Sequence, residues 1–161
     1  MIQVAAYFGK EYLCEITKED LLSNIKEIRK QTNDRAVLRA LHFFEENERV
    51  QQEVNALQSG NFQSFLNTVR ASGDSSFKYL QNVYTNHDVA HQNVSVALAV
   101  SDTLLKENGV SRVHGGGFAG TIQAFVKNTM VNEYQKAMDE IFGEAACSVL
   151  KIRKYGGMKV F

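Results

Sequence analysis

The sequence of 161 residues contains no proline, no tryptophan and only two cysteines. Cys14 and Cys147 are too few and too isolated for a disulfide framework or a thiolate zinc cluster. Eighteen basic and eighteen acidic side chains cancel. That balance argues against a broad basic footprint for nucleic acid and against a polybasic patch for a membrane surface. No apolar run approaches the roughly 18 residues that would suggest a membrane span, and no signal-peptide pattern opens the chain. The expectation is a soluble cytoplasmic protein with neither nucleic acid nor membrane as a partner. The lack of proline has one simple correlate, since long helices are undisturbed without it.

What is present suffices for a folded core. Apolar residues make up 44% of the chain, which excludes a disordered composition. At this length one domain is the default, and roughly two-thirds of the unfolded surface can be buried.

Helical signals fill the first two-thirds. Residues 2–8 suggest a short helix or strand ended near Gly9. Thr17-Lys18-Glu19-Asp20 is a capping-box-like start, and Leu21, Leu22, Ile25 and Ile28 continue as one helical stripe to about Lys30. Asn33 or Asp34 caps a longer helix that carries Val37, Leu41 and Phe44, then Val50, Val54 and Leu57, and ends at Gly60. Asn61 caps a helix with Phe62, Phe65, Leu66 and Val69 at i, i+3, i+4 and i+7, which Ser72-Gly73-Asp74 is expected to interrupt. A further helix is expected from about Asp88, with Val94, Leu98, Ser101 and Leu105 on one face, ending at Lys106–Gly109.

The character then changes. Ser111–His114 and Thr121–Val126 have strand-like patterns, Tyr134, Ala137, Met138 and Ile141 mark a helix ended by Gly143, and Cys147–Arg153 suggests another strand. Helices first and strands late predict an α+β fold, with helices packed on one face of a small antiparallel sheet.

The densest signal lies between the two strands. Arg112-Val113-His114-Gly115-Gly116-Gly117-Phe118-Ala119-Gly120-Thr121 holds four glycines within six residues. Glycine tolerates positive φ and lets backbone N–H groups approach a phosphate or another backbone. Loop chemistry alone favours a glycine-rich turn between antiparallel strands. The segment fits neither familiar phosphate template, because no Lys-Ser/Thr follows the glycines and no helix opens directly after them.

Taken with three other segments, this stretch resembles the third signature motif of the GHMP small-molecule kinases, and galactokinases most closely. The others are Tyr7-Phe8-Gly9-Lys10-Glu11-Tyr12-Leu13, Arg39–Val50 and Ser72-Gly73-Asp74-Ser75-Ser76, in the expected order across nearly the whole chain. The resemblance departs at Ala119, where the family usually has glycine. The family's early sugar-recognition motif of the Gly-Glu-His-Thr-Asp-Tyr kind, its phosphate loop and its catalytic Asp have no counterpart here.

The resemblance implies that residues 1–161 are a galactokinase-like C-terminal domain of ferredoxin-like fold, without the ATP-binding N-terminal half. His114, Gly115, Gly116, Gly117, Phe118, Ala119 and Gly120 would form a supporting wall of the phosphate and substrate site at the domain interface. No catalytic residue and no metal ligand is expected on this chain. ATP and Mg²⁺ would serve the parent enzyme, whose N-terminal half and sugar substrate are the implied partners, and the uncovered interdomain face would favour self-association. Two other readings stay open: a free-standing interaction or regulatory protein derived from a kinase half, and part of a GHMP kinase for another small alcohol.

Other candidate groups have plainer explanations. His87 and His91 are four apart but lack a zincin's glutamate and a third ligand. His42 near Glu45 and Glu46 suggests ordinary pairs on a helix surface. Ser75 and Ser76 fit a helix cap or kink better than a nucleophile, and Cys147 fits a small apolar filler.

Overall fold

A computed structural model describes residues 1–118 and 120–152. Seven α-helices and one two-stranded antiparallel sheet are present among them. The α+β expectation is borne out, with four helices of twelve residues or more.

Helix α1 (Ile2–Tyr7) is followed by α2 (Lys18–Ser23) and α3 (Ile25–Gln31). The expected capping box opens α2: Thr17 Oγ1 accepts from the Asp20 N–H, while the Asp20 carboxylate accepts from the Thr17 N–H. The single stripe expected to Lys30 is broken at Asn24, whose side chain donates to the Asp20 carbonyl at 2.9 Å. That local bond offers the backbone an alternative to continuing the helix. Helix α4 (Asp34–Gln58) is capped by Asn33, and α5 (Phe62–Ser75) by Asn61, each side chain accepting a backbone N–H three residues on.

The predicted interruption at Ser72-Gly73-Asp74 does not occur. Helix α5 runs on to Ser75 and passes into a π-helical turn over Ser76–Leu80. Gly73 is there for close approach: a Cβ on it would lie 3.1 Å from Arg112 Cβ on the neighbouring strand. Helix α6 (Asn93–Leu105) begins later than Asp88, because the Asp88 carboxylate accepts from the N–H groups of Ala90 and His91 and forms a turn. Its reversal falls at Lys106, with φ +48°, rather than at Gly109.

Strands β1 (Gly109–Val113) and β2 (Ile122–Val126) pair from Gly109↔Val126 to Val113↔Ile122, and α7 (Val131–Phe142) follows. Residues 147–152 are not a strand. Their solvent-facing Val149, Leu150 and Ile152 have no strand partner to pair with among the described residues; Arg153 lies outside the described residues.

Apolar packing forms three clusters. Val4, Leu13, Ile16, Leu21 and Ile28 pack against Val37 and Ala40 of α4. Ala56, Phe65 and Val69 pack with Val110 and Phe125. Ala97, Leu105, Tyr134 and Met138 pack with Ile122, Ala124 and Val126. Side chains alternate along a strand, so Val110 and Phe125 face α5 while Ile122, Ala124 and Val126 face α6 and α7. The α+β fold holds, but both faces of the sheet are covered rather than the single face expected, because the two strands alternate apolar side chains to α5 on one side and to α6 and α7 on the other. The β1–β2 connection therefore emerges at one end, beyond the packed layers.

Candidate functional site

That connection is the glycine segment. His114 N–H donates to the Thr121 carbonyl at 3.0 Å, which adds one rung beyond the sheet. Inside, Gly117 N–H reaches the His114 carbonyl at 3.4 Å and Gly120 N–H the Gly117 carbonyl at 3.0 Å. Gly115, Gly117 and Gly120 have φ of +58°, +85° and +83°, a region where a Cβ meets the following carbonyl. The turn and its need for glycine are legible in the sequence. Ala119 lies outside the described residues.

Gly117 is the one buried residue of the described loop, and it meets Asn82. A Cβ on Gly117 would sit 2.0 Å from the Asn82 carbonyl oxygen. The Asn82 side chain donates to the Gly116 carbonyl at 3.3 Å. Gly116, by contrast, has nothing within 4 Å of a would-be Cβ, and Phe118 is 63% exposed. The loop thus has a seated side, against Asn82, and an open side that carries Gly116, Phe118 and His114. Asn82 gave no signal in the sequence. It follows the π-helical turn, which ends in a left-handed Gln81 at φ +52°, a geometry no residue pattern announced.

A polar network stands behind the loop, where β1 meets α4 and α5. Glu46 accepts from Ser72 Oγ, from Arg49 Nε at 2.8 Å and from Arg112 Nη1 at 3.4 Å. His42 Nδ1 lies 2.9 Å from Ser75 Oγ. The plain helix-surface reading of His42 is corrected here: the ring is only 7% exposed, because α5 covers that face of α4. Ser75 and Ser76 are likewise buried and serve packing and this bond. Sequence spacing brought His42 and Glu46 to one face of a helix, but only the fold brings Ser72 and Arg112 to them.

The charges follow from these contacts. Burial alone would raise the Glu46 carboxyl, but the Ser72 hydroxyl and the Arg49 and Arg112 guanidiniums hold it below the usual value. Burial lowers the His42 imidazole, aided by Arg49 and Arg112 and opposed by the Glu46 carboxylate. His42 is therefore neutral in the folded chain at neutral pH. Because its folded value is depressed, its contribution is complete above the ordinary value of 6.5 and is lost as pH falls through the folded value. Urea unfolding from pH 8 down to pH 5 is expected to show declining stability, and His42→Gln to flatten that decline. An equally steep slope in the variant would assign the effect to other groups.

His87 and His91 do not share a helix face. Both precede α6, and His91 pairs with Asp88 at 2.8 Å. Among the described residues no group of three or more His, Cys, Asp or Glu side chains is placed to hold a metal ion. No helix among them is long and apolar enough to cross a membrane. The Cys147 thiol is raised by burial and by the nearby Asp139 carboxylate, which suits a packed rather than a reactive thiol.

No protein-family model matches the chain. Curated galactokinases do. The chain is 31% identical to the galactokinase of Thermotoga petrophila over 144 residues, 83% of this chain and 36% of that protein. It is 27% identical to that of Glaesserella parasuis serovar 5 over 136 residues, 84% and 33% of the two chains. Against the galactokinase of Actinobacillus pleuropneumoniae it is 26% identical over 132 residues, 82% and 32%. The chain spans about a third of the length of the curated relatives it matches, and over that stretch it is homologous to galactokinases.

Proposed function

We propose that residues 1–161 are the C-terminal domain of a galactokinase-like GHMP sugar kinase, the missing partner being an ATP-binding N-terminal half. The parent transfers the γ-phosphate of ATP to the anomeric hydroxyl of galactose or a related sugar. One observation carries this reading beyond homology: the glycine hairpin is seated against Asn82 on one side and open on the other. Phosphoryl transfer depends on positioning and charge stabilisation, and a small-residue wall lets two domains close around the phosphate without steric conflict.

His114, Gly115, Gly116, Gly117, Phe118, Ala119 and Gly120 form that wall in this proposal, and none of them acts as acid, base or nucleophile. ATP and Mg²⁺ belong to the N-terminal half in this proposal, as the likeness to galactokinases implies for the parent. The open side with Phe118 is the face that half would cover. Interfaces between domains of one chain commonly bury on the order of 600–1,500 Å², and left bare such a face favours self-association. The location proposed for the parent is cytoplasmic.

The test expresses the complete reading frame that contains this sequence beside the 161-residue chain, with Mg-ATP and a panel of sugars and small alcohols. The complete protein is expected to form a sugar 1-phosphate, and the chain alone none. Supplying the N-terminal half in trans should restore turnover. Gly116→Leu should abolish that rescue while leaving the unfolding midpoint in place, since a side chain there enters open space. Rescue by Gly116→Leu equal to wild type would make the loop an ordinary turn. Product from another alcohol alone would favour a different GHMP kinase. A reading frame without a phosphate-loop segment would favour the interaction or regulatory protein.

A further inference from the structure

We infer that Asn82 is a positioning residue that fixes which way the Gly116–Gly117 peptide faces, and so sets the polarity of the glycine wall; its catalytic consequence rests on the function proposed above. The carbonyl of Gly116 and the N–H of Gly117 belong to one peptide unit. Asn82 Nδ2 donates to that carbonyl at 3.3 Å, and the N–H is turned to the His114 carbonyl at 3.4 Å. A carbonyl accepts only from a donor, so the NH₂ end of the carboxamide must be the end that faces Gly116. The Asn82 main-chain carbonyl fills the space beside Gly117 that a Cβ would take. One residue therefore grips the peptide by its oxygen and by its α-carbon.

The grip matters because this peptide lies between two glycines. A peptide flip changes ψ of the first residue and φ of the second, and glycine resists neither change. Flipping would turn a carbonyl dipole toward the open side, where a phosphate requires N–H groups or nothing. Nothing else among the described residues bonds the Gly116 carbonyl.

Asn82 is itself firmly held. It is 6% exposed, and Val83 beside it is 4% exposed. Ser95 Oγ of α6 donates to the Val83 carbonyl at 3.4 Å, and Gln81 N–H closes the π-helical turn on Ser76 at 2.9 Å. Asn82 Oδ1 is buried without a hydrogen-bond partner among the described residues. The bond made by its other end accounts for an amide at this position.

Two variants of this chain test the grip. Asn82→Ala removes the donor, and amide exchange at Gly117 is expected to quicken about fivefold to tenfold, the worth of one hydrogen bond. Asn82→Asp keeps the shape but sets a carboxylate against a carbonyl. Burial raises such a carboxyl, and its protonated form can donate. The Gly116 and Gly117 amide signals of Asn82→Asp should therefore move at neutral pH and return toward wild-type positions on acidification, whereas those of Asn82→Ala should not return. In the complete kinase, kcat should fall roughly tenfold to a hundredfold with KM for the sugar unchanged, and recover at acid pH only in Asn82→Asp.

Unchanged Gly117 exchange in both variants would overturn the grip. Faster exchange with undiminished kcat would overturn the positioning role. If the wild-type complete protein shows no sugar kinase activity, the proposed function fails, and the exchange and titration of the chain alone still decide whether Asn82 holds the peptide.

Discussion

Gly117→Ala is expected to be the most damaging single-methyl change in this chain. The added carbon would need φ near +85° and would lie 2.0 Å from the Asn82 carbonyl oxygen. The first costs about 1–2 kcal/mol, and forcing atoms into an occupied site typically adds about 1–3 kcal/mol. Neither can relax cheaply, since the obstructing atom is backbone and the loop is tied at His114 and Thr121. A loss of about 2–5 kcal/mol is therefore expected in urea unfolding. Gly116→Ala is the control. It has open space, and its cost should stay within about 0.5 kcal/mol. Equal effects of the two substitutions would mean that Asn82 does not seat the loop as described.

Glu46→Ala should be the most damaging change of charge. It strips the carboxylate from Arg49, Arg112 and Ser72 together. The Arg49 side chain is only 11% exposed, and one of its terminal nitrogens is already buried without a partner among the described residues. Removing one member of a fully buried pair costs about 3–5 kcal/mol. The Glu46 side chain is 24% exposed, so solvent relieves part of this, and roughly 2–3 kcal/mol is expected. The pH dependence separates charge from shape. The Glu46 carboxyl lies below its ordinary value of 4.5 in the folded chain, so its contribution is present above pH 4.5 and disappears as pH falls through the folded value. Glu46→Gln, which keeps an acceptor for Ser72, should be milder and should reduce the acid slope. An undiminished acid slope in Glu46→Gln would mean that Glu46 does not carry it.

Capping chemistry was the most readable part of the sequence. Thr17, Asn33 and Asn61 each accept the N–H that their position predicts, because a cap involves only neighbours in sequence. The two strands were legible from alternation, and the loop between them from its glycines. Failures arose where a side chain had two choices. Asn24 and Asp88 bond to nearby backbone and end or delay helices that apolar spacing alone would continue. Gly73 looked like a helix break and is instead a contact with Arg112, a partner 39 residues away in the sequence. The same distance hid the better half of the site. Glu46, Ser72 and Arg112, like Asn82 and Gly117, are brought together by packing of α4, α5 and β1, and no local pattern records such meetings.

Helix α4 belongs to two apolar clusters. Its first half, through Val37 and Ala40, closes the cluster of α1, α2 and α3; its far end, through Ala56, joins that of α5 and the sheet. At 25 residues it is about 38 Å long, a beam with a different load at each end. The three short helices rest on the first half of this beam, and the π-helical turn that leads to Asn82 packs on the same helix, where Ser75 meets His42. The two loads are coupled, because α5 runs back along α4 from Ala56 and Phe65 to His42 and Ser75. Opening of the N-terminal cluster is therefore expected to loosen, through His42 and Ser75, the turn that carries Asn82, so the seat of the loop shares the fate of the start of the chain.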